Sequence, residues 1–360
     1  MSFWQVESWS KQLANHVPKL AKFPPNLDHL CINDRGMVDD DQRHPVGGVD
    51  FPRTLQEFDE WFASEDACTA YLRRVRWPEG FRCPRCQGKT ACATARGQLK
   101  CLKCHRQTST TAGTIFQGTR KPLRMWFQAM WHVTSQKSGG SALGLQRVLG
   151  LGSYQTAWAW LHKLRRAMVR PGRERLEGCV EVDETYLGGV EEGVHGRETE
   201  NKAMVAVAAE EDGRGIGRIR LRSIADVSAD SLHPFVEQCV TPGAIVHTDG
   251  WPGYNGIEAK GYTHEVTVMS QHDEPAHQLM PRVHRVASLL KRWLLGTHQG
   301  AVREKHVDYY LDEYTFRFNR RRSRARGLLF YRLLQNAVAV DPVPYGQLVG
   351  GQSERDHKIW

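Results

Sequence analysis

The sequence has no run of about eighteen apolar residues, which is the length that a membrane-spanning helix needs. It also has no apolar core of a secretory signal near its start, and it contains no internal repeat or low-complexity block. Hydrophobic residues make up 40% and charged residues 25% of the 360 residues, as in ordinary globular domains. We therefore expect a folded cytosolic protein, and wholesale disorder is excluded.

The nine cysteines cannot all form disulfides, because their number is odd and the cytosol keeps thiols reduced. Four of them form two pairs of equal spacing that are separated by fourteen residues, Cys83-x2-Cys86 and Cys101-x2-Cys104. Two such pairs can offer four thiolates to one tetrahedral ion. The spacing predicts a zinc ribbon that holds one structural Zn²⁺, with a redox pair or unrelated core thiols as the alternatives.

Acidic residues are scarce between Thr119 and Arg175, where eleven lysines and arginines accompany one glutamate, an excess larger than the net charge of +9 of the whole chain. Within this segment, SALGLQRVLGLGSYQTAWAWLHKLRRAM predicts a helix-turn-helix whose second helix begins near Tyr154 and buries that tyrosine. The opposite side of this helix is expected to contact DNA. The residues on that side are Gln155, Thr156, Lys163 and Arg166. An ordinary helical hairpin with a solvated basic face is the alternative.

Alternating apolar and polar residues from Cys179 onward predict five short strands, with a helix at 228–239 between the third and fourth. Asp183 lies in the first of these strands, and Asp249 ends the fourth. Buried carboxylates are costly unless they bind a cation or a partner. Two of them at adjacent strand ends predict a site for hard divalent cations. The alternative is that these acids are ordinary turn residues, which is the usual role of a single acid at a strand end.

Four motifs in this region resemble the catalytic core of bacterial insertion-sequence transposases that carry a zinc ribbon ahead of the core, the ISXO-like group. The motifs are VEVDETYLGG, HTDGWPGYNG, VHRVASLLKRWLLGTHQGAV and DEYTFRFNRR, and WPEGFRCP resembles the lead into the ribbon. The resemblance covers about residues 54–334. It implies an RNase H-like fold and DDE-type chemistry, with Asp183 and Asp249 as the first two metal-binding aspartates.

The third acidic position departs from the usual pattern of the family. Relatives with a glutamate carry it seven residues before a helical lysine, and the residue seven before Lys291 is His284. Seven residues turn a helix by about 700°, so both side chains lie on one face. The resemblance to DDH variants implies that His284 is the third metal ligand and that Lys291 contacts DNA phosphate. A structural histidine and a solvated lysine are the alternatives, and imidazole leaves the choice between Mg²⁺ and Mn²⁺ open.

Other charged residues near these motifs are weaker candidates. Glu181 and Glu184 flank Asp183, but only one face of the strand can meet the metal, so we expect Glu184 to point away. His247 shares a face with Asp249 and is a candidate to support it. The arginine-rich run near the end is a candidate phosphate-binding segment, with a solvated face as the alternative. Its central members are Arg320, Arg321 and Arg322.

These patterns predict a multidomain α+β protein with a zinc ribbon, a helix-turn-helix segment and an RNase H-like α/β core built on a five-stranded mixed sheet. The predicted order is an N-terminal arm, a helical lead-in, the zinc ribbon, the helix-turn-helix, the catalytic domain and a C-terminal tail. The boundaries are 1–53, 54–79, 80–117, 118–175, 176–338 and 339–360.

The predicted function is that of a DNA transposase that binds the terminal inverted repeats of an insertion sequence. Two divalent ions about 4 Å apart would serve hydrolysis of a phosphodiester and then attack of the freed 3′-hydroxyl on target DNA. We expect a dimer or larger oligomer on double-stranded DNA, in a prokaryotic cytoplasm and at the nucleoid, away from membranes. A DNA-binding regulator with an inactive core and a metal-dependent nuclease without strand transfer are the alternatives.

Overall fold

The computed structural model describes residues 44–170, 172–188, 202–268, 271–300 and 302–350. The predicted N-terminal arm lies outside the described residues as far as residue 43, and so does the end of the predicted tail from residue 351. The chain forms two compact units. Of the described residues, one unit contains Glu79–Ser109, and the other contains 44–78 together with those of 110–350.

The smaller unit contains a three-stranded antiparallel sheet of β1 (Ala91–Ala93), β2 (Leu99–Cys101) and β3 (Gln107–Thr108). Each of the two Cys-x2-Cys segments forms a tight turn in which the residue after the second cysteine has a positive φ. These residues are Gln87, with φ of 58°, and His105, with φ of 57°. In both turns the amide of that residue donates to the carbonyl oxygen of a cysteine. The equal spacing in the sequence therefore produces two equivalent turns.

The larger unit begins with five helices, α1 (Leu55–Trp61), α2 (Glu65–Arg76), α3 (Leu123–Ser135), α4 (Ala142–Leu149) and α5 (Tyr154–Ala167). Four of them start at a hydroxyl side chain that accepts a hydrogen bond from a backbone amide of the first turn, and this is the usual N-cap. These caps are Thr54, Ser64, Ser141 and Ser153. The helices share one apolar cluster in which the indoles of Trp126 and Trp160 are stacked 3.8 Å apart.

A five-stranded mixed sheet follows, which confirms the predicted fold class. Its strands are β4 (Cys179–Leu187), β5 (Ala203–Asp212), β6 (Gly215–Ile224), β7 (Ile245–Thr248) and β8 (Thr263–Val266), in the order β6-β5-β4-β7-β8. The first three strands are antiparallel neighbours, whereas β7 is parallel to β4 and β8 is parallel to β7. This arrangement places the carboxyl ends of β4 and β7 at the same edge of the sheet.

Helices cover both faces of this sheet. The helix α6 (Ala229–Cys239) packs on the face that carries Val180 and Val182. The opposite face packs against α8 (Pro281–His298), which follows the short α7 (Ala276–Leu279), and against α9 (Val307–Asn319). The last helices are α10 (Arg326–Ala339) and α11 (Tyr345–Gly350). Among the described residues, none of the helices combines the length and the apolar character needed to cross a membrane.

Three details differ from the sequence-based expectations. The ribbon unit ends at Ser109 rather than at 117, and Ile115 and Phe116 belong to the apolar cluster of the helices. Helix α10 lies in the predicted catalytic segment, yet Phe330 packs in that same cluster. Tyr154, predicted to be buried, is 50% exposed, because it stands in the first turn of α5, where the packing begins only one turn later.

Candidate active site and metal centres

The four cysteines predicted to bind zinc come together in the ribbon. All four sulfur atoms lie within 4.8 Å of one another. The Sγ atoms of Cys83 and Cys104 are 3.5 Å apart, and those of Cys86 and Cys101 are 3.7 Å apart. Zinc–sulfur bonds of about 2.3 Å in a tetrahedron put the sulfur atoms about 3.8 Å apart. The geometry of the thiols therefore fits one structural Zn²⁺.

The packing around the sulfur atoms is close at Gly88, where a larger residue would have to displace its neighbours slightly. A Cβ atom at this position would lie 3.3 Å from Sγ of Cys101 and 3.4 Å from Sγ of Cys86. Desolvation raises the pKa of the Cys83 thiol, but hydrogen bonds from the backbone amides of Cys86 and Arg85 and from the neighbouring thiols outweigh it and hold that pKa at about 6. At Cys86 the backbone amide of Gly88 lowers the pKa, but hydrogen bonds with the other thiols, together with burial, raise it to about 12. A thiolate at Cys83 is the form that binds metal.

The predicted divalent-cation site lies on the sheet face that packs against α8. The parallel register of β4 and β7 pairs Glu181 with His247, and Asp183 and Asp249 each lie two residues further along the chain. Alternation along the strands therefore puts both aspartates on the same face and at the same edge. Asp183 accepts a hydrogen bond from the amide of Glu184, and Asp249 accepts one from the amide of Trp251.

His284 reaches this edge from the first turns of α8. Its Nδ1 atom lies 3.9 Å from Oδ2 of Asp183, and both side chains are partly exposed, at 32% and 17%. Burial lowers the pKa of His284, and the carboxylates of Glu181 and Asp249 oppose this effect. The imidazole is therefore neutral at pH 7, as a nitrogen ligand must be. Its buried Nε2 atom has no hydrogen-bond partner within the described part of the chain, so no other group competes for this nitrogen as a ligand.

Lys291 lies on the exposed side of α8, two turns after His284. Desolvation lowers the pKa of its ammonium group, and Asp183 acts in the opposite direction, which places the cation within electrostatic reach of that carboxylate. The described residues include just one group of three or more metal-binding side chains with all ligand atoms within 4.8 Å, and it is the cysteine cluster. The structure thus brings His284 and Lys291 toward Asp183. The ligand atoms of Asp183, Asp249 and His284 do not all lie within 4.8 Å of one another.

Two sequence models of known families match this chain. The "ISXO2-like transposase domain" matches residues 175–319, and the "Transposase zinc-ribbon domain" matches residues 63–107. These two matches cover the sheet with α6 to α9 and the cysteine cluster. The chain therefore carries the zinc ribbon and the transposase domain of ISXO2-like insertion-sequence transposases.

A curated relative from Halobacterium salinarum is named "Uncharacterized protein in transposable element ISH50". It is 26% identical over 272 residues, which is 69% of this chain and 89% of the relative. Among solved structures, a chain in the crystal structure of the Mos1 strand transfer complex matches at 12% identity and a TM-score of 0.21, over 56% of this chain and 78% of that one.

The two glutamates beside Asp183 in this transposase serve opposite faces of β4. Glu181 is 1% exposed and accepts hydrogen bonds from the amides of Arg282 and Val283 at the start of α8. Glu184 points to the other face, as predicted, and accepts a hydrogen bond of 3.2 Å from the hydroxyl of Tyr254. Neither role follows from the motif alone, because the partner of each glutamate is distant in the sequence.

Tyr254 belongs to the loop that follows Asp249 and is not among the predicted site residues. Burial raises its pKa well above the usual value, and the carboxylates of Glu184, Asp183 and Asp249 add to the shift. The hydroxyl therefore stays protonated and donates to Glu184, which ties the loop to β4. His247, the weaker candidate beside Asp249, pairs through Nε2 with the hydroxyl of Thr267 at 2.7 Å.

The residues predicted to contact DNA in α5 differ in accessibility. Gln155 is exposed, whereas Thr156 is partly buried and its hydroxyl is 2.9 Å from that of Ser153. Lys163 and Arg166 are partly exposed, and burial lowers the pKa of Lys163. Helix α5 packs against α4, α9, α10 and α11, so a groove-binding surface is confined to its first turn and one edge.

The arginine run after α9 of the transposase is largely engaged within the chain. Arg321 donates to the carbonyl oxygens of Gly217 and Phe318, and Arg322 pairs with Asp212 at 2.7 Å. Arg320 stacks on the ring of Phe316 at 4.1 Å. Burial lowers the pKa of Arg320 to about 10, and the nearby cations of Arg332, Arg170 and Arg173 add to this effect.

Proposed function

We propose that this transposase cuts and joins DNA at the ends of its insertion sequence, with a divalent-cation site made by Asp183, Asp249 and His284. The observation that supports the proposal most directly is the contact of 3.9 Å between the His284 imidazole and the Asp183 carboxylate, with Asp249 at the end of the neighbouring parallel strand. The family supports a transposase, and the cation, the reaction and the DNA partner are our proposal.

Each residue has a distinct task in this proposal. Asp183 and Asp249 supply oxygen ligands and His284 supplies a neutral nitrogen ligand, a mixed set that suits Mn²⁺ as well as Mg²⁺. Bound divalent ions supply electrostatic stabilisation of the attacking and leaving oxygens of a phosphodiester. Lys291 holds a DNA phosphate beside Asp183, because it is an exposed residue on the same face of α8 as His284 and its ammonium group is attracted by the Asp183 carboxylate.

DNA is held by residues outside this site. We propose that Gln155 and Thr156 read base edges from the first turn of α5 and that Lys163 and Arg166 neutralise phosphates. Arg320 is the strongest candidate in the arginine run, because a bound phosphate would offset the repulsion from its neighbouring arginines, and Arg321 and Arg322 add charge. An insertion sequence has two ends, so the active form is a dimer or larger on double-stranded DNA in the cytoplasm.

The test combines DNA carrying the terminal repeats, a target plasmid and either Mg²⁺ or Mn²⁺. We expect metal-dependent cleavage and joined products from the wild type, and none from Asp183→Asn or Asp249→Asn. Asp230→Asn, an exposed aspartate in the first turn of α6 on the other face of the sheet, is the matched control and keeps full activity.

The alternatives predict different products. Specific DNA binding without cleavage by the wild type would mean an inactive DNA-binding protein, and cleavage without joined products would mean a nuclease. For the third ligand, His284→Ala should abolish cleavage, whereas His284→Glu should restore part of it with a changed ratio of Mg²⁺ to Mn²⁺ activity. Full activity of both variants would remove His284 from the site.

A further inference from the structure

Glu181 lies two residues before Asp183 on β4 and forms a cap for a helix that begins a hundred residues later in the chain. Its Oε2 atom accepts hydrogen bonds of 2.7 Å from the amide of Arg282 and 3.0 Å from the amide of Val283. Its Oε1 atom accepts one of 2.7 Å from the guanidinium of Arg282. All three donors belong to the first turn of α8.

Helix α8 has no cap of its own. The residue at its N-cap is Met280, no side chain there accepts a hydrogen bond, and Pro281 has no N–H group. The free amides of a helix start need acceptors, and the helix dipole favours a negative charge there. The buried carboxylate of Glu181 supplies both, and its charge-assisted hydrogen bonds are stronger than neutral ones.

Arg282 strengthens the same attachment. Its guanidinium also pairs with Glu211 at 2.6 Å and donates to the carbonyl oxygens of Gly213 and Gly215 in the hairpin between β5 and β6. The start of α8 is therefore held to β4 and to this hairpin at once. His284 follows two residues later, so little of the helix lies between the attachment and the imidazole.

We propose that Glu181 is a positioning residue that sets the distance between Asp183 and His284 by holding the first turn of α8 against β4. The inference rests on the proposed function, in which these two residues are ligands of one site. Asp183 is two residues from Glu181 along the strand, a spacing of about 6.6 Å. His284 is the residue after Val283, whose amide donates to Glu181. The Glu181 carboxylate is therefore close to both residues that the distance of 3.9 Å joins, Asp183 on the strand and His284 on the helix.

Glu181 does not serve as a ligand itself. Its side chain is 1% exposed, and both oxygens already accept hydrogen bonds from α8, one of them from two amides. A cation would have to break this cap to reach it. Glu181 therefore affects the proposed metal site by fixing the position of His284.

The test measures Mn²⁺ binding to the zinc-loaded full chain, by electron paramagnetic resonance of the free ion, together with amide hydrogen exchange. Glu181→Gln removes the charge and one acceptor while keeping the shape. We expect the dissociation constant of Mn²⁺ to rise roughly tenfold, as for other residues that hold a metal ligand in place. Amide exchange at 282–286 should speed up in the same variant.

Glu210→Gln is the matched control. Glu210 is a partly buried glutamate on β5 that accepts hydrogen bonds from the amides of Glu177 and Arg218 and from the Arg218 guanidinium, and these partners lie outside α8. We expect a comparable loss of thermal stability with an unchanged Mn²⁺ dissociation constant. If Glu181→Gln does not fold, Arg282→Gln removes one of the three donors and should raise that constant about threefold.

The outcomes separate this inference from the proposed function. A folded Glu181→Gln variant with the wild-type dissociation constant would overturn the positioning role, and so would an equal loss of Mn²⁺ affinity in Glu210→Gln. Asp183→Asn is measured beside them. If it binds Mn²⁺ as well as the wild type does, the proposed metal site itself is wrong, whatever the behaviour of Glu181.

Discussion

At the scale of single residues, a buried ion pair joins α5 of the helical cluster to α9, which packs on the sheet. Arg165 on α5 lies 2.8 Å from Glu313 on α9, and their side chains are 2% and 1% exposed. Arg317 pairs with the same carboxylate at 2.7 Å. Desolvation raises the pKa of Glu313, but these two arginines outweigh it and hold the pKa at about 2. The Glu313 carboxylate therefore stays charged and is the counter-charge of both arginines.

Glu313→Gln should therefore destabilise the protein by about 3–5 kcal/mol, because two guanidinium groups lose their counter-charge in a buried place. The measurement is the free energy of unfolding in urea. Glu174→Gln, which removes an exposed pair with Arg170, is the matched control and should cost less than about 1 kcal/mol. Equal losses in the two variants would contradict the importance of burial.

A second residue-scale prediction concerns His298, which lies beside this ion pair. Burial lowers the pKa of its imidazole to about 4, Arg165 and Arg317 act in the same direction, and Glu313 opposes them. In the unfolded chain the imidazole takes up a proton below about pH 6.5, whereas the folded protein does so only near its own lower pKa. The unfolded state thus binds more protons in this window, so stability falls as the pH falls.

We expect His298 to contribute about 2 kcal/mol to the loss of stability between pH 8 and pH 5. His298→Phe keeps an aromatic ring between Trp293 and Tyr310 and should reduce that loss. Urea unfolding at both pH values measures the difference, and His272→Phe at an exposed position is the control. A His298→Phe variant with the full wild-type loss would show that other groups cause it.

At the scale of elements, helix α10 approaches the segment before α1 more closely than a side chain allows. A Cβ atom at Gly327 would lie 1.7 Å from the carbonyl oxygen of Pro52 and 2.9 Å from the ring of Phe51. Gly327→Ala should therefore cost about 1–3 kcal/mol through displacement of the segment. Gly296→Ala, in α8 with open space around it, should be neutral or stabilising by up to about 1 kcal/mol. Thermal unfolding measures both variants. Equal melting temperatures for Gly327→Ala and Gly296→Ala would contradict the close approach of α10 to the segment before α1.

The first turn of α5 is the most exposed part of that helix, and the proposed function assigns base contacts to it. Gln155→Ala should weaken binding to the terminal repeat by about 1–3 kcal/mol and leave binding to unrelated DNA unchanged, because a base contact carries sequence information. Lys163→Ala should weaken both equally and lower the salt dependence by about one ion. Fluorescence anisotropy at several salt concentrations separates them. Uniform weakening by Gln155→Ala would assign it to the phosphates instead.

The periodicity of an element predicts which face a residue occupies, but it does not predict the residue's distant partner. Alternation along β4 places Asp183 and Glu184 on opposite faces, and the five strands follow from the same pattern. Contacts between distant segments are not encoded in a local period. Arg165 looks like part of a solvated basic face, but its partner is 148 residues away. The cap that Glu181 provides for α8 spans 102 residues, and its one local signal is a helix start without a capping side chain.

At the scale of the whole molecule, the predicted boundary of the ribbon was too long because composition does not report which unit a residue packs in. Residues near the end of that segment are apolar and fit either a ribbon or a helical cluster. Ile115 and Phe116 pack with α3 and its neighbours, so the chain leaves the ribbon unit at Ser109. Each unit thus has its own expected source of stability, four thiols that fit one Zn²⁺ in the first and apolar clusters in the second.

Removal of zinc should therefore unfold the first unit alone. A unit of about thirty residues is too small to be stable through its apolar core and depends on the metal. We expect a strong chelator to release one zinc ion per chain and to abolish amide protection within 79–109, while α3, α8 and the sheet keep theirs. Cys83→Ser should give the same pattern without chelator. Hydrogen exchange with mass spectrometry and zinc analysis measure both effects. Protection lost from the sheet as well would show that the two units unfold together, and a zinc content near zero in protein kept reduced would reject the ribbon site.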